Sequence, residues 1–473
     1  TRGGVIYIAS INPTDHHVAN DILFATKYKP EFIITPSEKL SANIAKSAAE
    51  LNEIEDVNLN LGNEFDLDVE DAESGDQEVD LNAADSAPVV RYVNKLLVDA
   101  IKRGSSDLHF EPYEKFFRIR YRTDGVLEEI TQPPISMSGR IVARIKVMAN
   151  LDTAERRVPQ DGRIKLRISK SRAIDFRVST CPTMWGEKVV MRILDPESAK
   201  MGIDALGYEE AQKQLYLNAL RKPQGMILIT GPTGSGKTVS LYTGINILND
   251  TSRNISTAED PVEINLPGIN QVNINLKQGL DFPRVLRSFL RQDPDIILVG
   301  EIRDLDTAEI AVKASQTGHL VLSTLHTNSA SETLTRLNNM GVPLYNIATS
   351  VNLIIAQRLT RRLCEACKEP ITLSKEAIAE MGYAVEGLAD TVTVYEPKGC
   401  PSCNKGYKGR CGIYEVVAVN EEISKIILNG ANAIELSETF RRQGYPDLFQ
   451  SGLKKVLDGV TSLEEVQRVT SSH

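Results

Sequence analysis

The chain belongs to the α/β class, and three observations in its 473 residues predict this. From about residue 205 onward, short apolar runs alternate with helical periodicities, the pattern of a mainly parallel sheet flanked by helices. Within that stretch the run Met226-Ile-Leu-Ile-Thr230 is followed by a glycine-rich turn and then by an amphipathic segment from Lys237 to Leu248. Upstream, residues 88–200 and 1–49 carry their own strand and helix signals, so a smaller α/β domain and a partial N-terminal domain are expected before the main sheet.

Taken in order, Val5-Ile-Tyr-Ile-Ala9 is strand-like, and Pro13 to Tyr28 places Val18, Ile22, Leu23 and Ala25 at helical spacing. Glu31-Phe-Ile-Ile-Thr35 is a second strand, and Ser37 stands where a helix cap belongs. The chain opens with Thr rather than Met, so it reads as a piece of a longer protein. Residues 50–87 are acidic and poor in aromatics, which predicts a flexible linker; an acidic interaction tail is the functional alternative. In the 88–200 block, Val89 to Ile101 predicts a helix. Phe116-Phe-Arg-Ile-Arg-Tyr-Arg122 alternates apolar and basic residues, and Asp124-Gly125 turns it into Val126–Ile130, a hairpin signal. Arg163-Ile-Lys-Leu-Arg-Ile168 alternates in the same way after Asp161-Gly162. Its basic face is either solvated or presented to phosphates or to another subunit.

The main domain, 201–473, takes strands at 226–230, 254–258, 296–300 and 319–325 with helices between them, and a largely helical end from about 412. Gly231-Pro232-Thr233-Gly234-Ser235-Gly236-Lys237-Thr238 fits the P-loop pattern, with the strand before it and the helix after it that the motif requires. Its glycines let backbone N–H groups close around phosphates, the helix start adds positive potential, Lys237 reaches the β- and γ-phosphates, and Thr238 serves Mg²⁺. ATP with Mg²⁺ is the expected ligand. Ile296–Val299 runs into Gly300-Glu301, an apolar strand tipped by a carboxylate near the metal and the attacking water. A second strand ends in Glu259, Asp260 and Glu263, and a third carries His319 and His326 at its two ends. Parallel sheets bind ligands at the carboxyl ends of their strands, which favours His326 for function over His319.

Cys364-Glu-Ala-Cys367 and Cys400-Pro-Ser-Cys403 are two C-x-x-C pairs separated by 32 residues. Four thiolates in two clamps fit a structural, tetrahedral Zn²⁺ in a subdomain at about 361–412; a redox C-x-x-C is the rival. Cys181 and Cys411 are left over as core residues, with Cys411 close enough in sequence to be a substitute ligand.

The net charge of −9 conceals an asymmetry: residues 47–90 hold fourteen Asp or Glu and no Lys or Arg, and the remainder carries 54 basic against 49 acidic residues. That small excess, with aromatics at only 5%, argues against a nucleic-acid motor. No apolar run approaches the ~20 residues of a membrane span.

The P-loop, Thr257-Ala-Glu-Asp-Pro-Val-Glu263, Arg291–Asp304 and Gly318–Thr327 resemble, in order, the Walker A, aspartate, Walker B and histidine boxes of the secretion ATPases, the hexameric motors of type II secretion and type IV pili. Ser106–Pro112 and Glu155–Arg163 resemble the second N-terminal domain of that family, so the likeness covers 88–473. The resemblance implies a RecA-like ATPase domain in which Glu259 polarises water, Glu301 binds Mg²⁺ and His326 senses phosphate. It further implies that Arg157 and Arg163 reach the nucleotide on domain closure, with Arg287, Arg291 and Arg303 as further candidates. The cysteine site and the extra N-terminal domain are similar to pilus assembly ATPases rather than retraction ATPases; type II secretion ATPases are the close alternative. Implied partners are five further copies in a homohexamer, an inner-membrane platform protein and cytoplasmic pilus-alignment components, at the cytoplasmic face of the inner membrane. No nucleic-acid partner is implied.

Overall fold

The computed structural model describes residues 5–10, 29–36, 87–169, 172–196, 201–380 and 389–470. The chain divides into two compact units. In the first, β1 (Val5–Ser10) and β2 (Lys29–Ile34) pair in parallel with Val5 opposite Lys29. Parallel neighbours need a crossover; the expected helix at 13–28, the cap at Ser37 and the expected linker up to residue 86 lie outside the described residues.

In the second unit the helix Ala87–Lys102 leads into β3 (Ser105–Pro112), β4 (Phe117–Thr123) and β5 (Val126–Thr131). The helix Ser138–Met148, β6 (Gln160–Ser169), β7 (Arg172–Thr183) and β8 (Gly186–Leu194) follow, residues 165–173 of β6 and β7 being grouped with the first unit. The sheet order is β5-β4-β3-β8-β7-β6. The β4–β5 hairpin forms as expected: Asp124 and Gly125 both take positive φ (51° and 84°), the two-residue loop whose twist matches the strands. Period-two burial puts Phe117, Ile119 and Tyr121 wholly inside. The intervening arginines find their counter-charge within the sheet. Arg118 and Arg120 lie 3.1 and 2.8 Å from Glu111, and Arg122 and Arg192 lie 3.7 and 3.1 Å from Asp107. Burial pushes the Glu111 carboxyl up, but hydrogen bonds from Arg120 and Lys188 outweigh it and hold the group at about 2.

The main sheet is built from β9 (Gly225–Thr230), β10 (Ile255–Glu259), β11 (Asn270–Asn273), β12 (Ile296–Val299), β13 (Leu320–Leu325) and β14 (Val351–Leu363). β15 (Glu369–Ser374) and β16 (Thr391–Glu396) form a separate antiparallel pair, and β17 (Tyr407–Ala418) closes the main sheet. The order is β11-β10-β12-β13-β9-β14-β17, with every pairing of neighbours parallel except that of β17 with β14. The four expected strands are β9, β10, β12 and β13 to within a residue, and the helix after the P-loop spans Lys237–Leu248.

These strands are apolar throughout because both faces are covered. Met226 and Leu228 point into one core, with the helices Phe282–Phe289 and Leu305–Gln316. Ile227 and Ile229 point into the other, with the helices Glu210–Leu220 and Lys237–Leu248. One expectation needs correction. Residues 412–418 are strand, and helix begins only at Glu421. Ile413, Tyr414, Val416 and Val417 are all buried, so the run lacks the alternation that marks a half-exposed strand.

Candidate nucleotide site and metal centre

Parallel register sets the site. Thr230 of β9 lies opposite Leu325 of β13, Ala258 of β10 lies opposite Val299 of β12, and Val299 lies opposite Ser323. The strand ends therefore bring Gly231, Glu259, Glu301 and His326 to one edge of the sheet.

The P-loop leaves β9 through Gly231 at φ +148°, where an added Cβ would stand 2.5 Å from the Gln357 carbonyl oxygen and 2.6 Å from Ser235 Oγ. Gly234 and Gly236 take left-handed φ of +79° and +86°, and Gly236 is the residue that starts the helix. Pro232 and Thr233 are exposed, and Thr238 is half-buried in the first helical turn. Ser235 Oγ is buried with no hydrogen-bond partner among the described residues. Lys237 Nζ donates to the carbonyls of Gly231 (2.7 Å) and Pro232 (3.1 Å), so the loop's own backbone holds the ammonium over the phosphate cradle. Burial pulls its pKa down to about 8, with Glu301 acting the other way. A desolvated ammonium gains more than a solvated one when phosphate arrives.

The two strand-tip glutamates differ. Glu259 is buried and held by three donors: Tyr242 Oη (2.5 Å) alone donates to one oxygen, which keeps a lone pair, and Thr257 Oγ1 (2.6 Å) and Gln271 Nε2 (3.3 Å) donate to the other. Burial raises its pKa, and those three donors pull part of the way back. Glu301 is open on one side. Arg303 Nη2 lies 2.5 Å from Oε1, while the buried Oε2 has no hydrogen-bond partner and His326 Nε2 stands 3.4 Å away. A buried, unspent carboxylate oxygen beside the P-loop is the donor a Mg²⁺ site requires, so Glu301 with Thr238 fits that ion.

The other expected residues are scattered. His319 lies at the opposite end of β13, its Nδ1 2.9 Å from the Ala314 carbonyl oxygen. Arg163 reaches toward the acidic loop, with Nη2 3.4 Å from the Val262 carbonyl oxygen. Arg157 is 87% exposed and forked onto Glu155 at 2.6 Å. Arg287 and Arg291 are exposed, and Arg291 Nη1 donates to the Arg287 carbonyl at 2.9 Å. Sequence reasoning missed the wall of the P-loop, which β14 builds. Gln357 Nε2 donates to the Ser235 carbonyl (2.7 Å), and its Oε1 accepts from Ser240 (2.8 Å). Within the run Leu353-Ile-Ile-Ala-Gln-Arg358, the one usable signal was a polar pair interrupting an otherwise apolar strand.

The four cysteines converge. Cys364 Sγ lies 3.9 Å from Cys400 Sγ, Cys367 Sγ 3.7 Å from Cys403 Sγ, and Cys400 Sγ 3.6 Å from Cys403 Sγ. A Zn–S bond of about 2.3 Å in a tetrahedron requires S···S edges of about 3.8 Å, so the donor set fits Zn²⁺. All six cysteines are free, and Cys411 sits outside the cluster, buried against Thr360 at 3.0 Å. The clamps occupy the ends of the paired strands β14 and β17, where Leu363 lies opposite Tyr407.

A parallel sheet whose strand ends carry a P-loop, two carboxylates and a histidine defines a P-loop nucleotide-binding domain. The chain belongs to the type II/IV secretion system protein family, whose model matches residues 82–468. It is 60% identical over 473 residues to the type IV pilus assembly ATPase PilB of Pseudomonas aeruginosa, covering 99% of this chain and 82% of that protein. It is 47% identical over 411 residues to the type II secretion system protein E of Pectobacterium carotovorum subsp. carotovorum, covering 87% and 81%. Among solved structures, the Legionella pneumophila ATPase DotB shares the fold, with a TM-score of 0.59 at 20% identity over 86% of this chain and 99% of that one.

Proposed function

We propose that this chain is a motor ATPase of type IV pilus assembly. The observation that carries the reading is the convergence of the P-loop, Glu301 and His326 on one sheet edge, with an unspent oxygen on Glu301. The 60% identity to a pilus assembly ATPase supports pilus extension over type II secretion, where the relative is 47% identical.

ATP binds with its phosphates in the 231–238 loop, where Lys237 exchanges its two backbone carbonyls for phosphate oxygens. Mg²⁺, held by Thr238 and Glu301, supplies charge neutralisation when bound. Glu259 is the base: the oxygen of a water bonds to the γ-phosphorus as the bond to the ADP oxygen breaks, and the water's proton passes toward the carboxylate. The raised pKa of Glu259 suits that task. His326 hydrogen-bonds the γ-phosphate from beside Glu301. Arg157 and Arg163, on the preceding domain, close onto the nucleotide, and Arg157 trades Glu155 for phosphate. Zn²⁺ at Cys364, Cys367, Cys400 and Cys403 is structural, because four thiolates fill its coordination shell. Six copies form a ring that acts on an inner-membrane platform protein from the cytoplasmic side. No helix among the described residues is long and apolar enough to cross a membrane.

Lys237→Ala should abolish hydrolysis and leave the fold intact. A strain carrying only that variant should lose surface pili. Pili assembled normally by the variant would overturn the motor reading, and loss of exoprotein secretion with pili retained would move the assignment to type II secretion.

A further inference from the structure

Arg358 is a half-buried cation without an anionic partner among the described residues. It lies on β14, two residues past Ala356, which is opposite Thr230, so the parallel register sets it alongside the P-loop beyond the end of β9. The residue before it, Gln357, is already packed against Gly231, Ser235 and Gly236. The guanidinium contacts only neutral groups: Nη1 lies 3.1 Å from the Gln357 carbonyl oxygen, and Nη2 lies 3.0 Å from Asn328 Oδ1 and 3.4 Å from the Asn328 carbonyl oxygen. Among the described residues no carboxylate lies within ion-pair distance of it. Burial lowers its pKa, and Glu332 and Glu415, the nearest acids, restore only part of that. It also faces Lys237, whose pKa it lowers further. Two cations that repel each other beside a phosphate cradle, one of them without a carboxylate partner among the described residues, are costly in the protein alone and are offset by an anion between them.

We propose that Arg358 is a nucleotide-binding residue in cis: its guanidinium takes an oxygen of the bound polyphosphate opposite Lys237, and returns to Asn328 when the nucleotide leaves. This rests on the ATPase reading and deepens it. The fork is suited to the exchange, because one Nη can hold phosphate while the other keeps the Gln357 carbonyl. Asn328 lies two residues past His326, and its backbone N–H donates to Glu332 at 2.8 Å in the helix Ala330–Asn339. Release of Asn328 by Arg358 therefore reports the nucleotide to that helix, on a path separate from Glu301.

The test compares the full chain with Arg358→Gln, Arg358→Lys and Lys237→Ala. Affinities for MgADP and for a non-hydrolysable Mg-triphosphate analogue are measured by calorimetry, and thermal unfolding is followed with and without each. Loss of a charge-assisted phosphate contact predicts a roughly tenfold or greater weakening in Arg358→Gln, with partial recovery in Arg358→Lys, and a raised KM. The ligand-free unfolding temperature should stay near that of the unsubstituted protein. Unchanged affinity and KM in Arg358→Gln, with Lys237→Ala defective, would overturn the assignment while leaving the ATPase reading standing. No nucleotide binding by the unsubstituted chain would overturn the ATPase reading itself. Weakened binding accompanied by an equally lowered ligand-free unfolding temperature, unrecovered in Arg358→Lys, would make Arg358 a packing residue and also overturn the assignment.

Discussion

Glu415 gives a sharp physical test of the fold, because it is buried in the main sheet with one main hydrogen-bond donor. It sits on β17, 5% exposed, and accepts from the Ala330 N–H at 2.9 Å, at the start of the helix that follows the His326 loop. Burial raises its pKa to about 7, Ala330 lowers it, Asp447 and Glu332 raise it, and Arg441 lowers it. Arg358 faces it from β14. In the unfolded chain the same carboxyl titrates near its ordinary 4.5. Between those values the folded form holds a proton that the unfolded form has released, so stability falls as pH rises. The contribution is fully present below about pH 4.5, declines by about 1.4 kcal/mol per pH unit, and is gone by about pH 7, for a total of about 3 kcal/mol. Glu415→Gln removes the titration and keeps an acceptor for Ala330. Its amide adds a donor whose burial costs about 1–3 kcal/mol if unpaired, but that cost is the same at every pH. The observable is therefore the slope. Urea unfolding of both proteins at pH 5, 6, 7 and 8 should show Glu415→Gln gaining on the unsubstituted protein from pH 5 to 7, then a constant difference. A difference that stays flat from pH 5 to 8 would refute the assignment of a buried, neutral Glu415.

Three further outcomes follow from named contacts. Gly231→Ala should abolish nucleotide binding in a calorimetric titration, since the added methyl meets the Gln357 carbonyl oxygen at 2.5 Å, whereas Gly234→Ala meets nothing within 4 Å and carries only its φ strain. Cys364→Ser should lower zinc from about one ion per chain to near zero by metal analysis, because structural zinc binding is worth about 10–16 kcal/mol and depends on every thiolate. Glu187→Ala should destabilise the 88–200 domain by about 3–5 kcal/mol in chemical denaturation, because it strands Lys146, 1% exposed and 2.8 Å from that carboxylate; pairing it with Lys146→Met should recover most of the loss.

The site was legible wherever a local rule bound residue type to backbone. The P-loop declares itself because only glycine tolerates the φ values at 231, 234 and 236, and because a strand and a helix must flank it. The cysteine clamps declare themselves because two short thiol pairs have few other uses in such a chain. Glu259, Glu301 and His326 were legible through strand ends, since parallel register turns each terminus into a site position. What stayed hidden depends on long-range pairing. The β14–β9 pairing joins residues more than a hundred positions apart, from Val351 with Met226 to Ala356 with Thr230. No local periodicity shows that Gln357 and Arg358 will stand beside Gly231. The buried run 413–417 gave no strand alternation, so the strand at the start of the largely helical end went unread.

The four-cysteine cluster is tied by its contacts to more than its own loop. Its clamps cap the outer ends of β14 and β17, and the segment between Cys403 and Arg410 meets the β4–β5 hairpin of the preceding domain. Asp124 accepts from the Gly409 N–H at 2.8 Å and lies 3.6 Å from Arg410, and Glu128 accepts from Asn404 Nδ2 at 3.1 Å. Asn404 follows Cys403 directly and exchanges backbone hydrogen bonds of 2.9 Å with Tyr407. The turn that begins at Cys403, one of the four clustered thiols, is thus the turn that receives the hairpin. The same strand β14 that ends at Leu363, just before Cys364, carries Gln357 and Arg358 along the P-loop at its other part. A Zn²⁺ held by the four thiolates would add rigidity along one strand pair that touches both the nucleotide cradle and the β4–β5 hairpin, a structural task for which four thiolates and no open coordination position suffice.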